Sequence, residues 1–155
     1  VKRLLALAGK GSANAKANAA GVLWDLTINE KSRERVAQGG GVALLVELLE
    51  NGNEEARARA AGALTNLAVD STNQVAIAQA GGLELLLQLV ERGNEQERAT
   101  ASNALWNLAL NDDNTAAIAK KGKIGILLQL AEGKDTEKNA RDAGVIGGWA
   151  EDQTG

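Results

Sequence analysis

The sequence predicts an all-α solenoid built from repeats of 41 residues. The segment AAGALTNLA at residues 60–68 recurs as AAGVLWDLT at 19–27 and as ASNALWNLA at 101–109. A more divergent copy, DAGVIGGWA, lies at 142–150. A constant period of this size is typical of solenoids, in which each repeat packs only on its neighbours. Helix-capping residues and glycines recur at the same spacing, so each repeat is expected to be helical.

One long helix is predicted in each repeat. A residue that caps helices well recurs every 41 positions, as Ser12, Asn53, Asn94 and Asp135. Its side-chain oxygen accepts a hydrogen bond from a free N–H in the first helical turn. The long helices are therefore expected over 13–28, 54–69, 95–110 and 136–150.

Two further helices are predicted in each repeat, a short one and a middle one. The short helix follows a polar turn and ends at Gly40, Gly81 or Gly122, where glycine is expected to adopt a positive φ. Middle helices are expected over 42–50, 83–91 and 124–132. Residues 1–8 match 42–49, so the sequence begins at a middle helix, which Gly9–Gly11 break. The chain is predicted to be one domain, 1–155, with a partial repeat at 1–28, repeats at 29–69, 70–110 and 111–150, and a tail at 151–155.

Composition narrows the function classes. Lys and Arg number 17 against 20 Asp and Glu, which argues against a nucleic-acid partner. No apolar run reaches the roughly 18 residues of a membrane helix, and no targeting segment is recognised, so no membrane partner and a cytoplasmic or nuclear location are expected. The chain has no His and no Cys, and no pair of catalytic carboxylates is found. We therefore expect a protein that is not an enzyme, with no catalytic residue, cofactor or metal; Asp112-Asp113 is interpreted as a turn and helix start.

The sequence also lacks Pro, Tyr, Phe and Met. The absence of Pro favours helices joined by glycine turns, since proteins contain about 5% Pro on average. A natural fragment and an engineered sequence both fit this composition.

The repeat resembles the armadillo repeat. The resemblance is carried by NQVAIAQAGGLELLLQLV at 73–90 and by the A-x-x-A-L-x-N-L-A pattern at 60–68 and 101–109. It implies a right-handed α-solenoid of three-helix repeats whose long third helices line a concave groove. The sequence departs from the family where Ala43 and Glu84 stand in place of a common Pro. It departs again in the last copy, at Asp142 and Gly147-Gly148.

Helical periodicity divides the long helix of residues 54–69 into two sides. The predicted buried stripe consists of Ala56, Ala60, Ala63, Leu64 and Leu67. The opposite arc consists of Glu55, Ala58, Arg59, Gly62, Thr65, Asn66 and Val69, and by the resemblance it faces the groove. Across repeats this arc gives four rows: Asp25, Asn66, Asn107; Trp24, Thr65, Trp106; Gly21, Gly62, Asn103, Gly144; and Asn18, Arg59, Thr100, Arg141.

These rows predict a scaffold that binds a protein or an extended peptide. Peptide-binding members of the family use the asparagine at the position of Asn66 and Asn107, and Asp25 occupies the same place. An amide has donors and an acceptor for a peptide backbone, and indoles offer flat apolar area. The candidate groove residues are Asp25, Asn66, Asn107, Trp24, Trp106, Arg59, Asn103 and Asn18.

Structural interpretations of the same residues stay open. Asn66 and Asn107 also fit amides that tie one long helix to the next, and Trp24 and Trp106 also fit packing between helices. Arg59 and Arg141 fit solvated side chains, and Trp149 fits a core residue.

A second function class also fits the sequence, a structural or self-assembling module with no ligand. Independently of the function class, Val1, Leu4, Leu5 and Leu7 are expected to form an exposed apolar stripe that associates end to end with another chain.

Overall fold

The computed structural model describes residues 1–133, and this part of the chain contains ten helices and no strand. They are α1 (Lys2–Lys10), α2 (Ala13–Leu26), α3 (Glu30–Gln38), α4 (Gly41–Asn51), α5 (Glu54–Leu67), α6 (Ser71–Gln79), α7 (Gly82–Arg92), α8 (Glu95–Leu108), α9 (Asp112–Lys120) and α10 (Ile124–Gly133). No helix within residues 1–133 combines the length and the apolar character needed to cross a bilayer. The predictions for Asp135, Arg141, Asp142, Gly144, Gly147-Gly148, Trp149 and the helix 136–150 lie outside the described residues.

The predicted order of short, middle and long helices is confirmed. It is complete in α3–α5 and again in α6–α8, with α1–α2 before them and α9–α10 after them. The predicted caps also form. The side chains of Ser12, Asn53 and Asn94 accept hydrogen bonds from the backbone N–H three residues later, at 3.2, 2.8 and 2.8 Å. These bonds set where each long helix begins.

The three predicted glycine turns are confirmed. Gly40, Gly81 and Gly122 have φ values of 85°, 90° and 76°, and within residues 1–133 they are the residues with positive φ. The predicted break at Gly9 is wrong, because α1 continues to Lys10. The turn lies at Gly11, whose N–H bonds to the carbonyl of Leu7 at 2.9 Å, as Gly52 and Gly93 do one and two repeats later.

Each long helix ends two residues before its predicted end. The backbone N–H groups of Ile28, Val69 and Leu110 bond to carbonyls three residues back, at 3.4, 3.3 and 3.2 Å, which tightens the last turn. A side chain from the following short helix then takes the next free carbonyl. Arg33 donates to Thr27 O at 3.2 Å, Gln74 to Ala68 O at 2.8 Å and Thr115 to Ala109 O at 2.7 Å. Three different residue types thus cap the same position of the repeat.

The core lies between the long helices and the middle helices behind them. The predicted stripe of α5, from Ala56 to Leu67, is confirmed, because all five of its side chains are fully buried. The predicted free arc is wrong for Ala58, Gly62, Thr65 and Asn66, which are buried as well. Because α5 packs between α2 and α8, it is covered on its flanks as well as on its core side. The prediction from helical periodicity assumed that each long helix is buried on one side only.

Candidate functional site

The candidate residues lie on one face of the stacked long helices α2, α5 and α8. We call this the long-helix face, and it consists of the four predicted rows as far as residue 110. The amide of Asn66 is at its centre and is fully buried. Its Nδ2 donates to Trp24 O at 3.0 Å and to Thr27 Oγ1 at 3.2 Å, both belonging to the previous repeat. Its Oδ1 is buried and has no hydrogen-bond partner in residues 1–133.

The other two members of this row differ from each other. Asn107 repeats the interaction of Asn66, since its Nδ2 donates to Thr65 O at 2.9 Å and its side chain is buried. Asp25 is exposed. An ionised carboxylate only accepts hydrogen bonds, so Asp25 is unable to bind a carbonyl as the two asparagines do. The structure therefore shows the inter-repeat tie, and contact between these amides and a peptide stays a prediction.

Trp24 packs against the next long helix. A Cβ atom added to Gly62 would lie 2.7 Å from Cζ2 of the Trp24 indole, which is far inside contact distance. The indole is half-buried by this packing. In the sequence, the same offset of 38 residues joins Thr65 with Asn103 and Trp106 with Gly144, so both Trp residues of this row are matched by a Gly. Trp106 and Asn103 are half-buried, and Gly144 lies outside the described residues.

Arg59 and Asn18 are brought together. Nη1 of Arg59 donates to Ala17 O at 3.0 Å and to Asn18 Oδ1 at 3.4 Å, and the guanidinium pairs with Glu55. Its stem lies across Gly21, where an added Cβ would be 3.2 Å from Cδ. The interpretation of Arg59 as a solvated side chain is wrong, because it is half-buried and bridges α5 to α2.

Sequence reasoning missed a row of exposed apolar residues at the end of the long helices. Ile28, Val69 and Leu110 are spaced by 41 residues and are 54%, 41% and 64% exposed. We call them the apolar row. The period alone could have identified it, because all three positions carry large aliphatic residues. The helical periodicity of residues 54–69 placed Val69 on the arc opposite the buried stripe, but Val69 was not compared with Ile28 and Leu110.

A partly buried ion pair between repeats was also missed. Glu97 is 2% exposed, and its Oε2 lies 2.6 Å from Nε of Arg57 on the preceding long helix. Its Oε1 accepts from the backbone N–H of Asn94 at 3.0 Å, which completes a capping box. Both residues line a cleft of about 480 Å³ that also includes Leu49, Leu89 and Arg92. The Glu97 carboxylate is fully engaged within the protein, so this cleft is accounted for by packing between repeats.

Another ion pair joins adjacent repeats at the surface. Nζ of Lys121 lies 2.6 Å from Oε2 of Glu84. The hydrogen bond and the charge of Lys121 hold the pKa of Glu84 below its usual value. Both side chains are exposed, so solvent screens this interaction.

The first helix exposes only part of its predicted stripe. Val1 and Leu7 are exposed and Leu4 is half-buried. The prediction that Leu5 is exposed is wrong, because Leu5 is buried and its Cδ1 lies beside Gly39 at the end of α3.

Comparison with known proteins agrees with this architecture. Residues 29–69 match the family model described as the armadillo/β-catenin-like repeat. Two crystal structures of engineered proteins from the Northeast Structural Genomics Consortium are each 28% identical to the chain, with a TM-score of 0.78 over 90% of its length. A designed armadillo repeat protein solved in complex with the peptide (KR)4 is 23% identical, with a TM-score of 0.75 over 92% of the chain. A search of curated proteins found no match.

The stacked three-helix repeats define the molecule as an α-solenoid. One repeat of the chain, residues 29–69, matches the armadillo repeat, and the whole fold is similar to solved engineered and designed armadillo-type solenoids. The chain spans 59%, 36% and 62% of the lengths of the three solved proteins above.

Proposed function

We propose that the chain is a peptide-binding scaffold that holds an extended peptide along the long-helix face. The proposal depends on one observation. Each of the three stacked long helices presents partly open side chains on this face: Asp25 and Trp24 on α2, Arg59 on α5, and Asn103 and Trp106 on α8. Trp24 and Trp106 occupy the same position two repeats apart. The backbone of an extended peptide also offers groups at regular intervals, so a repeating surface is suited to it.

The spacing of the helices fits this kind of ligand. Packed helices are about 8–10 Å apart, and an extended chain advances about 3.3 Å per residue. One repeat therefore corresponds to two or three peptide residues. The three described long helices would accommodate a segment of roughly six to nine residues.

The charges on this face are mixed. Arg59 on α5 is paired with Glu55, and Asp25 on α2 is exposed. The interaction of a peptide with this part of the face should therefore depend weakly on salt. A strong preference for highly basic or highly acidic peptides is not expected from these residues.

Selection from a random peptide library tests the proposal. The purified chain should enrich related sequences, and a selected peptide should change the fluorescence of Trp24 and Trp106. A Trp149→Phe background removes the third indole, so that the signal reports only on the long-helix face. Asn103→Ala should weaken binding, whereas Gln79→Ala, on exposed surface at the end of α6, should not. Flat enrichment, or binding without any change in indole emission, would contradict the proposal.

The role of the two buried asparagines needs a separate measurement. A peptide would reach the amides of Asn66 and Asn107 only if they exchanged the carbonyls of Trp24 and Thr65 for peptide groups. We predict that Asn66→Ala with Asn107→Ala weakens a selected peptide by about 1–3 kcal/mol, because peptide groups lose their partners. Binding is measured at a temperature at which the variant is folded. Unchanged affinity would restrict these amides to the inter-repeat tie.

End-to-end self-association is a second candidate function. Leu7 and Val22 are 49% and 46% exposed, whereas the equivalent residues one repeat later, Leu48 and Ala63, are 2% and 0% exposed. Leu7 on α1 and Val22 on α2 are thus apolar side chains left uncovered at positions where the next repeat is packed. Sedimentation equilibrium should show concentration-dependent association that Leu7→Ser with Val22→Ser abolishes. A strict monomer at high concentration would exclude it.

A further inference from the structure

The apolar row is presented by rigid turns. The N–H groups of Ile28, Val69 and Leu110 bond to the carbonyls of Asp25, Asn66 and Asn107. The carbonyls one residue before them are held by Arg33, Gln74 and Thr115. The backbone turns that carry the three exposed aliphatic residues are therefore held by the protein's own hydrogen bonds, and a partner that covers these residues would not have to order the turns. Such preorganisation favours binding.

Acidic residues accompany this row. Exposed Asp25 and Glu30 lie beside Ile28 in the sequence, and exposed Asp112 and Asp113 follow Leu110. None of these four carboxylates forms an ion pair with a residue in 1–133, whereas Asp70, beside Val69, is paired with Arg33. Lys31 offsets Glu30 in the first turn, and no basic residue stands between 99 and 119. The negative charge is therefore strongest at the Leu110 end.

We propose that the apolar row docks an extended segment of a partner protein. This segment has an aliphatic residue at every third position, and a Lys or Arg follows the aliphatic residue that contacts Leu110. A polyproline-II-like segment has three residues per turn and rises about 3.1 Å per residue. Every third side chain then lies on the same side, about 9 Å from the last, which matches the spacing of packed helices. The basic residue meets Asp112 and Asp113. This inference rests on the proposed function and specifies its ligand.

Two peptides of the same composition test the spacing. One has leucine at its first, fourth and seventh positions, and the other has leucine at its first, third and fifth positions. The remaining positions of each seven-residue segment are serine and glutamine. Both segments are flanked by one additional lysine before the first position and one after the seventh, so that either chain direction brings a cation to Asp112 and Asp113. Fluorescence polarisation should show at least about tenfold tighter binding of the first peptide, because only it places three apolar side chains on the row. Equal affinities would overturn the proposal.

Variants of the protein locate the contact. Ile28→Ser with Leu110→Ser should weaken the first peptide at least about tenfold. Val75→Ser is the control, because Val75 is as exposed as Val69 of the apolar row (42% and 41%) but lies on the short helix α6, and it should leave the affinity unchanged. Asp112→Asn with Asp113→Asn should lower the affinity and reduce its dependence on salt. Thermal melting of each variant checks that the fold is intact.

The outcomes separate this inference from the proposed function. Library-selected peptides could change the indole emission and still bind the Ile28→Ser, Leu110→Ser variant as tightly as the parent. In that case the apolar row is not the binding surface, and the proposed scaffold function stands. If neither the selected nor the designed peptides bind, both proposals fail.

Discussion

The side-chain nitrogen of Asn66 lies 3.0 Å from the carbonyl oxygen of Trp24, so a buried amide joins two successive long helices. Asn107 makes the same bond to Thr65 at 2.9 Å one repeat later. The free carbonyls at the end of a long helix thus find a donor in the next repeat. The interaction recurs with the period of the solenoid and stabilises the stacking of its repeats.

Replacing Asn66 should therefore destabilise the protein even without a ligand. We expect Asn66→Ala to lower the free energy of unfolding by about 1–3 kcal/mol, because buried carbonyl and hydroxyl groups lose their donor. Asp25→Asn, at the equivalent but exposed position, should change it by less than about 0.5 kcal/mol. Urea denaturation followed by circular dichroism measures both. Equal effects of the two substitutions would contradict the tie.

Gly62 should tolerate no side chain while Trp24 is present. Gly62→Ala would drive a methyl group into the indole, and we expect a loss of about 1–3 kcal/mol from overpacking. Gly21→Ala is the matched control, because its neighbour is the flexible stem of Arg59. A double-mutant cycle with Trp24→Ala should give a favourable coupling energy. Additive effects would show that the two residues do not constrain each other.

Gly81→Ala should destabilise the protein by about 1 kcal/mol, because φ is 90° at this position and alanine rarely adopts such a value. No steric clash contributes, since nothing lies within 4 Å of an added Cβ. Gly125 also has open space around an added Cβ but lies within α10. There, alanine should stabilise the helix by up to about 1 kcal/mol. A lower melting temperature for Gly81→Ala and a higher one for Gly125→Ala would show that backbone strain, and not packing, causes the loss at Gly81.

The helices could be predicted from the sequence because their signals are local. Asn53 and Asn94 cap the helices that follow them, and Gly40 and Gly81 adopt a positive φ, as local rules require. The ends of the long helices could not be located to the residue. Their last turns depend on side chains such as Gln74, which reaches back from the next short helix.

The face of the long helices was only partly predictable, because it depends on neighbouring repeats. A helical wheel for α5 alone cannot show that α2 and α8 cover its flanks and bury Asn66 and Thr65. The sequence placed Trp24 and Gly62 in two separate rows and did not show that the two residues contact each other. Comparing each position with its equivalents 41 residues away would have identified the apolar row. The same comparison placed Asp25 with Asn66 and Asn107 but could not show that Asp25 is exposed.

Lys121→Ala should raise the pKa of Glu84 towards its usual value, because the lysine supplies both the hydrogen bond and the charge that lower it. A lowered pKa in the folded state gives stabilisation that is present above the unfolded-state pKa and is lost as the pH falls through the folded-state value. Glu84 is exposed, so we expect this pH dependence to be too small to resolve in unfolding measurements. NMR titration of the Glu84 carboxyl group in both proteins measures the shift. An unchanged pKa would show that Lys121 does not hold this carboxylate in solution.

Glu97→Gln should, in contrast, have a clear effect on stability. The carboxylate is buried, and it binds Arg57 of the preceding repeat and the backbone of Asn94. Glutamine keeps an oxygen for Asn94 but removes the charge opposite Arg57. We expect a loss of about 1–3 kcal/mol, typical of a charged hydrogen bond removed from a buried site. Glu84→Gln is the matched control, because it removes one partner of an ion pair with the same 2.6 Å separation at an exposed position. Parallel urea denaturation of the two variants should show a large shift only for Glu97→Gln. If both variants unfold as the parent does, the Arg57–Glu97 pair does not stabilise the packing between repeats.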